Sequence, residues 1–291
     1  MDSHATDKRQ VRRAFEQAAA NYDDAAVLQR EICDRMLERL DFIRHQPRTI
    51  LDAGCGTGYG LRRLEQRYPG AALTGLDIAL AMLRVSRGAA PWWRPLLPGR
   101  AAALLVCAEL EALPLRSGWA GLVWSNATLQ WVSELPRAFA EVHRVLAAGG
   151  LFMFSSFGPD TLKEVRAAFI GDGHTHTNRF TDMHDIGDLL LQGGFANPVM
   201  DMEVITLTYD EPLAILRDLK AIGAHNVTAG RARGLTGRKA FSSAMARLEA
   251  GRRDGRIPVT FEVVYGHAWK PEPRLGPSGK PVIEIKPERK P

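Results

Sequence analysis

The sequence predicts a doubly wound α/β fold built on a seven-stranded, mostly parallel sheet with helical cap insertions. Three observations carry that prediction: short apolar strands alternate with amphipathic helices from 49 to 157, a glycine-rich turn follows the first strand, and an acid closes the second. Strand–helix alternation over such a span implies βαβ units, whose strands lie parallel and whose ligand crevice opens at the strand ends.

Residues 7–43 read as helical, with Val11, Phe15 and Ala18 on one face and Leu28, Ile32, Met36, Leu37 and Leu40 on another. Pro47 ends this region. Residues 49–53 form a short buried strand, followed by the turn Gly54-Cys-Gly-Thr-Gly-Tyr-Gly60 and a helix through Leu61, Leu64 and Tyr68. Strands follow at 72–77, 102–107 and 121–125, with a helix through Met82 and Val85 after the first of them. Residues 88–100 read as a loop rich in Gly, Pro and Arg. Pro136 suits the first turn of a helix carrying Leu135, Phe139, Val142 and Leu146 on one face. Gly149-Gly150 is expected to stop that helix before a fifth strand at 151–157.

Beyond this point the alternation breaks down. Thr161-x-x-Glu164 reads as a capping box opening a helix through Leu162, Val165 and Phe169. A helix at 182–191, a strand at 199–209, a helical stretch over 211–250 and a last strand at 259–269 complete the reading. The domain division expected is a helical cap at 1–45, a core at 46–270 with insertions near 158–180 and 211–250, and a flexible tail at 271–291. That tail holds six prolines and no periodicity.

Composition excludes some function classes. Hydrophobic residues make up 45% of the 291-residue chain and charged residues 24%, enough apolar material for a substantial core. Of the net charge of +5, the stretch from Lys270 onward carries +3, which leaves the rest only mildly basic. A dedicated nucleic-acid binder would concentrate its cations on a folded face, so none is expected; a local basic patch for an acidic protein partner remains open. Three cysteines without close spacing point to a reducing, cytoplasmic setting. His174, His176, Asp182, His184 and Asp185 match no metal-binding spacing, so no metal is expected. The first residues, MDSHATDKRQVRR, hold no apolar signal core, and no 18-residue apolar run is present, so no membrane association is expected.

The most informative stretch is Ile50-Leu-Asp-Ala-Gly-Cys-Gly-Thr-Gly58. Gly54, Gly56 and Gly58 let a ligand rest against main chain at a helix N-terminus. Asp77, at the end of the second strand, is suited to accept hydrogen bonds from two adjacent ribose hydroxyls. The spacing matches neither the dinucleotide fingerprint, whose third Gly would fall at Tyr59, nor a phosphate loop, which needs Gly-Lys-Ser/Thr.

An acid at Asp52 with this glycine spacing resembles motif I of class I S-adenosylmethionine (SAM)-dependent methyltransferases. Cys107-Ala-Glu-Leu-Glu-Ala-Leu-Pro114 resembles their segment after strand three, and His143-Arg-Val-Leu-Ala-Ala-Gly-Gly-Leu151 their approach to strand five, with Ala148 in place of Pro. This resemblance implies a SAM site formed by Asp52, Gly54, Gly56, Gly58, Asp77, Ile78, Glu109, Leu110 and Asn126. Glu109 fills a slot usually held by Asp, where an acid meets the adenine amino group, and the Leu110 N–H would face the ring.

Outside this core, the segment from Val11 to Asp23 and the runs Ser125–Trp131, Phe157–Leu162, Arg179–Asp185 and Asp218–Asn226 resemble the BioC family. That likeness implies methylation of the free carboxylate of a malonyl group on acyl-carrier protein, early in biotin synthesis, with S-adenosylhomocysteine (SAH) as product. The same likeness places Tyr22, Gln130 and Trp131 beside the methyl group as catalytic candidates. Arg179, Lys220, His225 and Asn226 become candidates for gripping the acceptor. Arg12, Arg13, Arg30 and Arg35 form a candidate docking face for an acidic carrier. Three alternatives stay open from sequence: a methyltransferase for a small free acid, a related respiratory-complex assembly hydroxylase, and a SAM-binding assembly factor without catalysis.

Overall fold

The computed structural model describes residues 6–89, 102–170, 180–223 and 237–273. Its core is a sheet in the order β3-β2-β1-β4-β5-β7-β6, comprising β1 (Thr49–Ala53), β2 (Ala72–Asp77), β3 (Leu104–Cys107), β4 (Ala120–Ser125), β5 (Leu146–Phe157), β6 (Ala196–Tyr209) and β7 (Ile257–Trp269). Strands β1 to β5 run parallel, whereas β7 lies antiparallel between β5 and β6. This is the expected mostly parallel, doubly wound sheet. β1 and β4 are almost wholly buried because helices cover both faces, which explains their near-continuous apolar sequence.

One face packs against α3 (Val27–Arg39), α4 (Tyr59–Arg67), α7 (Lys163–Ala168) and α10 (Arg238–Ala250), and its core includes Ile32, Met36, Leu64, Trp124 and Leu248. The other packs against α6 (Leu135–Val145) and α8 (Met183–Gln192) through Phe139, Phe152, Phe154, Ile186 and Leu190. α5 (Leu80–Gly88) follows β2, and α9 (Pro212–Ala221) opens the second insertion. The strand order reverses between β1 and β4, so their carboxyl ends part and open a crevice.

The N-terminal stretch is broken where the sequence suggested nearly continuous helix. α1 (Lys8–Ala18), capped by the Asp7 carboxylate, gives way at Asn21 to α2 (Tyr22–Ala25), then to α3 and a 3₁₀ turn at Leu40–Phe42. α3 is pinned to the paired strands β6 and β7. Arg35 bonds Glu203 at 2.9 Å, Arg39 bonds Asp201 at 2.7 Å, and the Arg39 guanidinium lies 3.7 Å over the Tyr265 ring.

Two local expectations are corrected. Gly149-Gly150 does not stop a helix: α6 already ends at Val145, and β5 runs through both glycines with an irregular register beside β4. A Cβ on Gly150 would come within 2.8 Å of the Ala147 carbonyl, so the glycine serves the bend in the strand. Nor do Thr161 and Glu164 form a capping box. The Thr161 hydroxyl donates to the Glu262 carbonyl at 3.0 Å, and the Glu164 carboxylate accepts from the Thr260 N–H at 3.0 Å. Cross-chain bonds to β7 win over the local cap, and α7 starts only after Leu162, at φ +60°. Residues 274–291, most of the expected tail, lie outside the described residues, as do His174 and His176. Among the described residues, no helix is long and apolar enough to cross a membrane.

Candidate active site

The crevice is built first from backbone. As β1 ends, the Gly54 and Cys55 N–H groups donate to the Leu76 carbonyl at 2.7 and 2.9 Å, folding the turn against β2. Gly54 sits at φ +86°, and a Cβ there would lie 2.1 Å from Thr128 Oγ1. Only glycine allows the loop after β4 to approach this closely. Gly58 does different work: a Cβ there would strike Ser86 Oγ at 2.3 Å, so it permits α4 to pack on α5. Gly56 faces open space.

Asp77 stands at the end of β2. Its Oδ2 accepts from the Gly56 N–H at 2.9 Å and its Oδ1 from the Ala79 N–H at 2.8 Å. Burial nevertheless pushes its carboxyl up to about 6, against the pull of those two donors. Asp52, at 2% exposure, is pushed up to about 8 by burial, with the charge of Asp77 adding to it.

Around this corner lies a cavity that opens to solvent. It brings together Tyr22, Gly54, Gly56, Asp77, Ile78, Glu109, Leu110, Asn126 and Trp131 from the residues singled out in the sequence. An adjoining chamber shares Tyr22, Gly54, Gly56 and Asn126 with it and adds Asp52. Gly58, Gln130 and Lys220 line neither one. The Gln130 amide instead donates to the Ala127 carbonyl at 2.6 Å, and Lys220 is exposed on α9. Arg179, His225 and Asn226 fall outside the described residues.

Three residues of the site were not legible from sequence. Lys8 and Phe15 line the cavity from α1, with Phe15 edge-on to Trp131 at a centroid distance of 5.4 Å. Arg30, read earlier as part of an outward basic face, is half-buried and lines the adjoining chamber, where its guanidinium donates to the Asp23 carbonyl. Asn126 is held rigidly: its amide donates to the Gln29 carbonyl at 2.9 Å and its Oδ1 accepts from Ser155 at 2.8 Å.

The charges select a class of ligand. Lys8 is the cation lining the main cavity, and it is already held by Glu109 at 3.3 Å and Glu111 at 2.8 Å. Burial opposes the charge on Glu111, but Lys8 and the Glu134 N–H outweigh it and hold that carboxyl below its ordinary range. A pyrophosphate would meet Asp77 and Glu109 with no free cation among the lining residues. A nucleoside carrying a positive charge suits this lining: donors for Asp77 and Glu109, and a cation beside the rings of Phe15, Tyr22 and Trp131.

Comparison with known proteins gives the chain's relatives. A family model described as "Methyltransferase domain" matches residues 51–154. A malonyl-acyl-carrier-protein O-methyltransferase from Gallionella capsiferriformans is 54% identical over 98% of each chain. One from Nitrosospira multiformis is 56% identical, over 93% of this chain and 92% of the relative. Among solved structures, the YcgJ protein of Bacillus subtilis superposes with a TM-score of 0.57 at 15% identity, covering 81% of this chain and 98% of its own, a likeness of fold.

Proposed function

The chain belongs to the family of malonyl-acyl-carrier-protein O-methyltransferases, and from that membership we propose that it methylates the free carboxylate of a malonyl group carried on acyl-carrier protein. The observation that carries the reading is the corner where Asp77, Gly56 and Glu109 line a phosphate-averse cavity at the ends of β1 to β3. When bound, SAM supplies a sulfonium methyl group to the acceptor oxygen and departs as SAH.

The chain's own residues account for the rest. Asp77 takes the ribose hydroxyls on the lone pairs that Gly56 and Ala79 leave free, and Glu109 with the Leu110 N–H reads the adenine edge. Arg30 and Asp52, in the adjoining chamber, suit the carboxylate and ammonium of the methionyl end. Tyr22 and Trp131 border the transferred methyl group with apolar ring surface and exclude water. A malonyl carboxylate, with a pKa of roughly 3.5, is ionised at neutral pH and needs no general base. Catalysis then rests on alignment at about 3 Å and on a dry site, which together supply several kcal/mol. Burial and the neighbouring Asp77 and Asp23 raise the Tyr22 phenol, so this ring stays protonated and acts by position.

The test is an assay with methyl-labelled SAM offered malonyl-acyl-carrier protein, malonyl-CoA and free malonate in parallel. Label is expected in a base-labile methyl ester on the carrier, at far higher kcat/KM than for free malonate. Label transfer to free malonate at equal efficiency would replace this reading with that of a small-acid methyltransferase.

A further inference from the structure

α1 spans the cavity with its ends fixed to the two loops that, on the reading above, hold the adenosine. At its C-terminal end the Glu16 carboxylate crosses to α5 and accepts from the Leu80 N–H at 2.7 Å and the Ala81 N–H at 3.1 Å. α5 has Ala79 at its N-cap and no side-chain cap of its own, so Glu16 satisfies first-turn donors that would otherwise face solvent. These donors begin three residues after Asp77. At the other end Lys8 grips Glu109 and Glu111 in the loop after β3, at 3.3 and 2.8 Å. Between the two contacts, Val11 and Phe15 face the cavity.

We infer that α1 is a two-ended latch over the cofactor, with Glu16 and Lys8 as positioning residues that set how fast the adenosyl ligand enters and leaves. Neither side chain needs to touch the reacting atoms. Glu16 fixes the turn that carries Asp77, and Lys8 fixes the carboxylate that reads adenine, so closing α1 completes both sub-sites in one movement. Both contacts stay partly hydrated, with 32% of the Glu16 side chain and 23% of the Lys8 side chain exposed. Each contact keeps some access to water, so each is weaker than a fully buried pair. The inference rests on SAM occupying this cavity.

The test follows SAH binding by stopped-flow fluorescence in the wild type, Glu16→Gln, Lys8→Met, Lys8→Arg and the double variant Glu16→Gln/Lys8→Met, with amide hydrogen exchange over residues 8–18 in the same proteins without ligand. Arg39→Ala, which breaks the Asp201 pair away from the cavity, serves as a control for general destabilisation. Glu16→Gln keeps the shape and one acceptor oxygen, so it folds if the wild type does. Association and release of SAH are both expected to speed up, release by about tenfold in the double variant. Exchange in 8–18 should rise in parallel, while Lys8→Arg restores wild-type rates and Arg39→Ala leaves them unchanged. A wild type that binds SAH while the double variant shows unaltered association and release overturns the latch alone. A wild type that takes up no SAH overturns the cofactor reading and the latch together.

Discussion

The carboxylate of Asp77 accepts a 2.9 Å hydrogen bond from the Gly56 N–H, so the acid that closes β2 also braces the loop that follows β1. Asp77→Asn turns one oxygen into a donor that must oppose either the Gly56 or the Ala79 N–H. With its remaining oxygen held by the other backbone N–H, the neutral amide loses the charge-assisted bonds to the ribose diol, which costs roughly 3 kcal/mol of binding. SAM and SAH affinity should fall about a hundredfold, with the far-ultraviolet circular dichroism unchanged. Titration calorimetry checks this, and a fall of less than threefold would remove Asp77 from the ribose site.

The buried carboxyl of Asp52, raised to about 8, is largely protonated at pH 7. A cation arriving beside it favours the carboxylate, so SAM binding should release a proton and strengthen from pH 6 to 8. Binding heats at pH 7.5 should therefore vary with the ionisation enthalpy of the buffer, and Asp52→Asn should abolish that variation. Stability carries the opposite sign. Because the folded pKa lies above the unfolded 3.8, the stability associated with Asp52 is present below about pH 4 and lost as pH rises through 8. Asp52→Asn should melt above the wild type at pH 8.5, with the difference closing towards pH 4. A constant difference across that range would show that Asp52 does not titrate as described.

Gly60, in the first turn of α4, faces Asp52 and Trp124. A methyl group there would come within 2.9 Å of Asp52 Oδ2 and 3.4 Å of Trp124 Nε1. Alanine ordinarily favours a helix over glycine by about 1 kcal/mol. Here the collision with a buried carboxyl outweighs that gain, so Gly60→Ala should destabilise by about 1–2 kcal/mol. Asp52→Asn should not relieve the clash, since the amide has the same shape. Urea denaturation of Gly60→Ala, Asp52→Asn and the double variant decides the matter, and a stabilised Gly60→Ala would refute the packing argument.

What the sequence made legible is the part of the site built from local chain. The turn after β1 and the acid ending β2 are each set by a few neighbouring residues, so sequence alone places Gly54, Gly56 and Asp77 together. Lys8, Phe15 and Arg30 could not, because a helical pattern shows which side chains share a face but not what that face roofs. Arg30 was grouped with Arg12, Arg13 and Arg35 on that ground, yet it turns into the chamber beside Asp52. Thr161 and Glu164 misled for a related reason: their partners on β7 lie about a hundred residues away. Gly58, grouped with Gly54 and Gly56 by the sequence as a rest for the ligand, lines neither chamber; a Cβ there would meet Ser86 of α5.

Arg30 supplies a prediction of its own. If its guanidinium receives the methionyl carboxylate, Arg30→Met should weaken SAM and SAH by about tenfold or more while leaving adenosine binding unaltered. Adenosine lacks the amino-acid end, so the two ligands separate this role from a general disturbance of α3. Equal losses on both ligands would place Arg30 in the scaffold instead.

The outward side of α1 narrows the question of carrier docking. Arg35 is engaged with Glu31 and Glu203, and Arg30 turns inward, so of the basic face expected from sequence Arg12 and Arg13 remain, joined by Arg9, which the sequence reading did not include. All three are exposed, at positions that share one face of a helix, and Arg12 is held only loosely, 3.9 Å from Glu16. The opposite side of the same helix lines the proposed cofactor cavity, which puts these cations near any arm delivered to the methyl group. An acidic carrier approaching this face would be steered by a field that salt screens within about 8 Å at physiological strength. Reversing two charges, as in Arg9→Glu/Arg13→Glu, should raise KM for malonyl-acyl-carrier protein about tenfold and flatten its dependence on salt, with KM for SAM unchanged. Arg12 is spared in this variant because its neighbour Glu16 belongs to the latch. Steady-state kinetics from 50 to 300 mM salt provide the measurement, and an unchanged KM for the carrier would move the docking face elsewhere.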